Sequence, residues 1–363
     1  MKIGIITYYN VHNHGAVLQA NALRTILQKK GHQVEFLTFD RNYDYVDKES
    51  VNKYRISISS IPYYIKYVFD KGLKNFFYNI KKNELLNKYR NNKFIIGNRY
   101  NEFDGDLVII GSDEVFSLEI GFNPFMYGHG IKCKNIISYA GCFGPTTIED
   151  IKSKNLEDII NSGMHKLKSI SVRDLNSYNV VNEISNIDST IVCDPVILYG
   201  YKKEMDYYKP PYKNYILIYS YDKSMNDPYE IKKIREYAKK NNLKVYSVAY
   251  YHSWCDKNIL VSPTQLMGVI KNSELIITDT FHGAVLSIIC NIPMIVKLRT
   301  NQNKLEYLLN EYNLADRIIE DFGELNKVAS EEVDFSEVNK IINKKRKKSL
   351  NYLYNVLEDI DVK

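Results

Sequence analysis

The first forty residues constrain the fold of this 363-residue chain more than any other stretch. Lys2 to Tyr8 is an apolar, β-rich run, broken by the polar segment Tyr9-Asn10-Val11-His12-Asn13-His14-Gly15. Ala16 to Lys30 then places Leu18, Ala22, Leu23, Ile26 and Leu27 at helical spacing and stops at Gly31, after which Gln33 to Phe39 is strand-like again. Two strands joined by a helix pair in parallel, so this unit predicts the opening of an α/β sheet.

The pattern continues. Apolar runs at Leu107–Ile110, Ile136–Ala140, Ser169–Val172 and Thr190–Cys193 read as further strands. A stretch rich in Tyr, Lys and Pro, residues 199–213, reads as an interdomain linker, and a second set of strands follows at Tyr215–Tyr219, Lys244–Ala249, Leu275–Thr278 and Met294–Lys297. The expected organisation is an N-terminal Rossmann-like domain over 1–198, a second over 199–335, and a C-terminal helix over 336–363. Two such domains facing one another bind ligands in the cleft between them, at the carboxyl ends of the strands.

Composition narrows the class. The five cysteines form no CxxC pair and are odd in number, which argues against a zinc ribbon, a thioredoxin-type motif and a secreted disulfide framework. No apolar run approaches the roughly 20 residues of a membrane span, and the N-terminus lacks the features of a signal peptide. A cytoplasmic location is expected. The basic charge is concentrated: residues 51–100 hold eleven Lys/Arg against Asp70 and Glu84, so the rest of the chain is net acidic. Aromatics such as Tyr63, Tyr64, Tyr67, Phe69, Phe76 and Phe77 share that window. This insertion is either a peripheral contact with an anionic membrane surface or a helical flap packed on the first domain. No nucleic-acid motif accompanies it.

Four strand-end segments carry candidate chemistry. Asn13, His14 and Gly15 precede the first helix, where backbone N–H groups favour an anion or a sugar hydroxyl, although the dinucleotide pattern GxGxxG is absent. Gly111-Ser112-Asp113-Glu114 follows the Leu107–Ile110 strand as a helix cap or a ligand loop. Arg173 in Ser171-Val172-Arg173-Asp174 is placed to grip phosphate or carboxylate, unless it forms a surface pair with Asp174. His282 in Thr278-Asp279-Thr280-Phe281-His282-Gly283 stands at a strand-to-helix corner suited to acid–base work. Lys297, Arg299 and Lys304 then form either an anion-binding rim or a solvated face.

Taken in order, these segments resemble the polysaccharide pyruvyl transferase family. The likeness also includes Ile137-Ser138-Tyr139-Ala140-Gly141-Cys142-Phe143-Gly144, Cys193-Asp194-Pro195 and Lys304-Leu305-Glu306-Tyr307-Leu308-Leu309, and spans about residues 2–320. The resemblance implies two Rossmann-like domains in the arrangement of GT-B glycosyltransferases. It also implies transfer of pyruvyl from phosphoenolpyruvate to two hydroxyls of a sugar as a cyclic ketal, on a free or lipid-linked polysaccharide repeat unit. Neither metal nor cofactor is implied. Arg173 and Lys304 match donor-binding cations, and His282 matches the acid–base residue. The chain departs from the family where several members carry Arg two residues before the His and this one has Thr280; Arg299 or Lys297 is expected to supply the missing charge. Two rival readings remain: a GT-B glycosyltransferase using a nucleotide sugar, and a non-catalytic member of a polysaccharide assembly.

Overall fold

The computed structural model describes residues 1–46, 51, 57–299 and 303–361. Lys53 and Arg55 of the basic window lie outside the described residues. Five parallel strands build the first sheet: β1 (Lys2–Ile6), β2 (Gln33–Thr38), β3 (Ile96–Arg99), β4 (Leu107–Ile110) and β5 (Ile136–Ser138), in the order β3-β2-β1-β4-β5. Beside it β6 (Ser171–Val172) pairs in parallel with β7 (Thr190–Ile191). The second sheet holds β8 (Tyr215–Tyr219), β9 (Lys244–Val248), β10 (Lys257–Ile259), β11 (Leu275–Thr278), β12 (Met294–Lys297) and β13 (Ile318–Ile319). Its order is β10-β9-β8-β11-β12-β13, again all parallel.

The central strands read as near-continuous apolar runs because helices cover both faces of each sheet. Ile3 and Ile5 of β1 pack with Val17, Leu23 and Leu27 of the His14–Lys29 helix, whereas Ile6 faces Val108, Ile110 and Phe116 on the other side. The second sheet repeats the plan. Leu217 and Ile276 pack against the Phe281–Cys290 helix, and Ile216, Ile218 and Ile277 against Ile234 of the Pro228–Lys240 helix. In both sheets the order reverses beside the first strand, between β1 and β4 and between β8 and β11. Ligands bind at such switch points. The loops that leave β1, β4 and β11 carry the Asn13-His14-Gly15, Gly111-Ser112-Asp113 and Thr280-Phe281-His282 segments.

The chain crosses between the lobes twice. It leaves the first lobe through the short helices Pro195–Tyr199 and Lys202–Tyr207, and returns along the helix Phe335–Asp361. That last helix gives Val338 and Ile342 to the second lobe's core and Leu353, Leu357 and Ile360 to the first lobe's. The crossings are bonded to one another: Arg346 Nε donates to the Ile197 carbonyl at 2.5 Å, and Cys193 N–H to Ser349 Oγ at 2.9 Å.

The basic, aromatic window forms a helix, Ile61–Lys93, interrupted at Gly72 with φ 81° and ψ 156°, a conformation open essentially only to glycine. The interruption folds the helix back on itself. Tyr67 Oη donates to Asn75 Oδ1 at 3.1 Å and accepts from Asn79 Nδ2 at 2.9 Å, yet twelve residues of straight helix would separate Tyr67 from Asn79 by about 18 Å. The helix spans the lobes. Arg90 donates to the Val11 carbonyl of the first lobe, and Lys71, Tyr78 and Lys82 to the carbonyls of Asp222, Ile259 and Ala249 in the second. Of the two readings of this window, Lys71 and Lys82 follow neither as stated: they bond carbonyls of the second lobe, so they are not at a membrane surface and the helix does not pack on the first domain alone.

His14 also ties the lobes, donating from Nε2 to the Val261 carbonyl at 2.9 Å while Nδ1 is buried without a hydrogen-bond partner. Burial holds its pKa down at about 4, the Val261 carbonyl opposing and Lys82 reinforcing the shift. A folded-state pKa below the unfolded value of about 6.5 means that the unfolded chain binds the extra proton. The contribution of His14 to stability is therefore complete above about pH 6.5 and lost as pH falls toward 4. Denaturation at pH 7 and pH 5 should show wild type losing about 1–2 kcal/mol more than His14→Gln, whose amide keeps the donor without titrating.

Candidate active site

The two switch points face each other across one seam. Arg173, just past β6, lies with its side chain 1% exposed. Its Nη1 donates to Asp194 Oδ2 at 3.2 Å, Nη2 lies 3.6 Å from Asp113 Oδ1, and the guanidinium carbon stands 4.4 Å from the centre of the Phe281 ring. Burial opposes this charge, but the Cys142 sulfur and the carboxylates of Asp113, Asp194 and Asp174 outweigh it and hold the pKa above the ordinary arginine value. Arg173 is not a surface pair with Asp174, whose side chain caps the Leu175–Ser185 helix instead.

His282 reaches this cluster from the opposite lobe. Thr280 caps the Phe281–Cys290 helix, its hydroxyl accepting the Gly283 N–H at 3.0 Å, and so sets His282 in the first turn. An arginine at position 280 could not make that cap. Nε2 of His282 is buried without a hydrogen-bond partner and lies 3.9 Å from Asp194 Oδ2. The ring rests on Gly15, where a Cβ would come within 2.3 Å of His282 Cγ, so that position requires glycine. Burial lowers the His282 pKa, reinforced by Arg173 and opposed by Asp194 and Asp113, which leaves a neutral imidazole beside a carboxylate. A neutral imidazole has a free lone pair for a proton, and Asp194 at 3.9 Å stabilises the imidazolium that results.

Lys304, on the Asn303–Glu311 helix of the second lobe, pairs with Glu114 of the first. Burial lowers its pKa, with Asp113 opposing. A cavity of about 610 Å³ opens from this corner. One end holds Asp113, Glu114, Arg173, His282 and Lys304; the other is walled by Tyr63, Tyr64, Tyr67 and Phe76 from both arms of the folded helix, and Tyr221 of the second lobe also lines the cavity.

The sequence candidates separate accordingly. Asn13, Asp113, Arg173, His282 and Lys304 line the cavity, and Gly15 backs the His282 ring. Asn13 also caps its helix, Oδ1 accepting the Gly15 N–H at 2.8 Å. Ser112 is fully buried: it donates to Gln19 Oε1, and its carbonyl accepts from Thr7 Oγ1 at 2.7 Å, which fastens the β4 loop to the first helix. Ser112 and His14 therefore hold the scaffold. Arg299 and Lys297 do not replace an arginine at position 280. Arg299 grips Glu230 with two bonds of 2.7 and 3.0 Å and lies 3.4 Å from Asp279, Lys297 donates to the Glu320 carbonyl, and neither lines the cavity. Asp194, the group that joins Arg173 to His282, was not among the candidates. Its place before Pro195 reads as a helix cap, a role that it also fills by accepting the Val196 N–H at 2.8 Å.

The family model described as polysaccharide pyruvyl transferase matches residues 13–298. No curated protein matches the chain in sequence. Among solved structures, the Listeria monocytogenes protein assigned as a UDP-N-acetylglucosamine 2-epimerase superposes with a TM-score of 0.56 at 10% identity, covering 99% of this chain and 97% of that one. A second UDP-N-acetylglucosamine 2-epimerase gives 0.51 at 10% identity over 97% and 96% of the two chains. The UDP-GlcNAc 2-epimerase of Methanocaldococcus jannaschii gives 0.50 at 12% identity over 92% and 93%. These likenesses establish the GT-B fold and carry nothing about ligand.

Asp194→Asn separates the charge network from simple packing. Without the carboxylate the His282 pKa, followed by NMR through its ring protons, should move further down, and Arg173 should lose its nearest counter-charge at a cost of about 1–3 kcal/mol in stability. An unchanged titration would show that the 3.9 Å separation carries no coupling.

Proposed function

The chain belongs to the polysaccharide pyruvyl transferase family, and from that premise we propose that it transfers pyruvyl from phosphoenolpyruvate to two hydroxyls of one sugar in a polysaccharide repeat unit. The observation that carries this reading is the meeting of His282 and Arg173, drawn from two lobes, on Asp194, with Lys304 beside them on Glu114 and all three cationic or basic side chains lining one cleft.

Phosphoenolpyruvate presents a carboxylate and a phosphate, and Arg173 and Lys304 supply two cations of different geometry for them. Lys304 is paired with Glu114 at rest, so an anionic donor takes the place of that carboxylate. In the transfer, the donor methylene gains a proton and its central carbon bonds to the first sugar hydroxyl. The second hydroxyl then bonds to the same carbon as the bond to phosphate breaks. Two hydroxyl protons leave, and one is matched by the proton on the new methyl while the other leaves with phosphate. A neutral His282 is fit to take a hydroxyl proton, and Asp194 to steady the resulting charge. The cations stabilise the departing phosphate. No metal and no cofactor enters this scheme.

The aromatic end suits a sugar, whose apolar faces stack on rings while its hydroxyls find polar groups such as Asn79 and Asn83. We assign the acceptor to this end, on a lipid carrier at the cytoplasmic face of a membrane.

Phosphate release from phosphoenolpyruvate, measured with a panel of free and lipid-linked glycans, tests the reading. His282→Ala should abolish release while changing stability by no more than about 1–2 kcal/mol. Arg173→Lys should weaken donor affinity by about 1–3 kcal/mol, because a point charge cannot reproduce a planar two-pronged grip. Release of a nucleoside diphosphate from a nucleotide sugar, with none of phosphate, would instead identify a glycosyltransferase. Full activity of His282→Ala would remove the residue from the chemistry.

A further inference from the structure

The folded helix Ile61–Lys93 has a side that the cleft does not use. Ile61, Ile65 and Phe69 follow one another at intervals of four residues on the arm before Gly72, and Leu73 and Phe77 stand four apart on the arm after it. All five are exposed, Phe69 to 84% and Leu73 to 62%. Single exposed apolar side chains are normal on a soluble surface, but a run of five large ones marks a surface that meets something apolar. The surroundings say what. Lys66, Lys74, Lys81 and Lys88 are exposed on the same element, against Asp70 and Glu84 alone among its acidic residues. Apolar rows bordered by lysines match an anionic lipid surface, where the rows enter the acyl boundary and the lysines meet headgroups. No helix among the described residues is long and apolar enough to cross a membrane.

We propose that the outer side of this helix docks the protein on an anionic lipid bilayer and that its inner side receives the acceptor sugar. Tyr63, Tyr64, Tyr67 and Phe76, which as sequence alone look like further anchors, face the cavity instead. One element thus lies between bilayer and cleft, and a sugar on a lipid carrier reaches the cavity while its lipid stays in the membrane. The identity of the acceptor rests on the transferase reading; the bilayer contact does not.

Flotation of the full chain with vesicles, without donor or acceptor, tests the contact alone. Vesicles of phosphatidylcholine with phosphatidylglycerol should carry the protein at low salt and release it at high salt, and phosphatidylcholine vesicles should not carry it. Phe69→Ser with Leu73→Ser, and separately Lys74→Gln with Lys81→Gln and Lys88→Gln, should each weaken partitioning by about tenfold or more while helix content and melting temperature stay at wild-type values. Equal binding to both vesicle types, or to neither, overturns the proposal. So does a dimer in light scattering that Phe69→Ser with Leu73→Ser converts to monomer without any vesicle binding, since a second copy would then cover this side. Phosphate release from phosphoenolpyruvate by a chain that ignores vesicles would leave the transferase reading standing and this one overturned.

Discussion

A buried guanidinium organises the molecule. Removing Arg173 from water costs several kcal/mol, and only near-complete compensation makes such burial tolerable. Asp194 and Asp113 supply the opposite charge and Phe281 the face of a ring, and the three come from three separate segments. Each must be in position before the others are stable there. The ends of β4, β6 and β11 and the start of the Pro195–Tyr199 helix are thus fixed relative to one another by a single side chain. His282 inherits its position from this arrangement, held between the Gly15 backbone and the Asp194 carboxylate.

The same seam sets the balance between holding the lobes together and binding a ligand. Its resting pairs, Lys304 with Glu114 and Arg173 with Asp194 and Asp113, already balance the charge of the cations, although Arg173 Nε is buried without a hydrogen-bond partner. A ligand anion gains only the difference between its own interaction and the one it displaces. That favours ligands with two anionic groups at a fixed spacing, which can replace both pairs together, over simple monoanions.

Much of this was legible in the sequence because the physics is local. The β1 unit shows its strand, its breaking loop and its helix in order, and the strands before Gly111 and Asp279 are apolar because both faces of the sheets are covered. The short edge strands were not legible. β3 contains Gly97, Asn98 and Arg99, and β10 contains Lys257 and Asn258, so half-exposed pairing leaves little apolar pattern to read. The Ile61–Lys93 helix was legible only as one of two readings, a helical flap or a membrane contact, because apolar residues on two sides and a break at Gly72 erase the single stripe of a surface helix. Arg299 and Lys297 show what nearness in sequence cannot tell. They stand at and just past the end of β12, next to the strand that leads to His282, yet their charges are held by Glu230, Asp279 and the Glu320 carbonyl, outside the cleft. Asp194 was hidden by doing two tasks, of which only the cap has a sequence signature.

The two interlobe crossings lie side by side and are stitched to each other through Arg346 and Ser349. Covers bound along one spine can swing but cannot slide past one another. At that spine the chain turns through Gly200 and Tyr201, both at positive φ, and a side chain on Gly200 would strike the Arg346 guanidinium. An opening of the lobes about this edge must also loosen the His14–Val261 bond and the contacts that the Ile61–Lys93 helix makes with both lobes. Such hinge motions run on microsecond to millisecond timescales. In a molecule joined this way, a ligand enters and leaves the cleft no faster than the lobes swing.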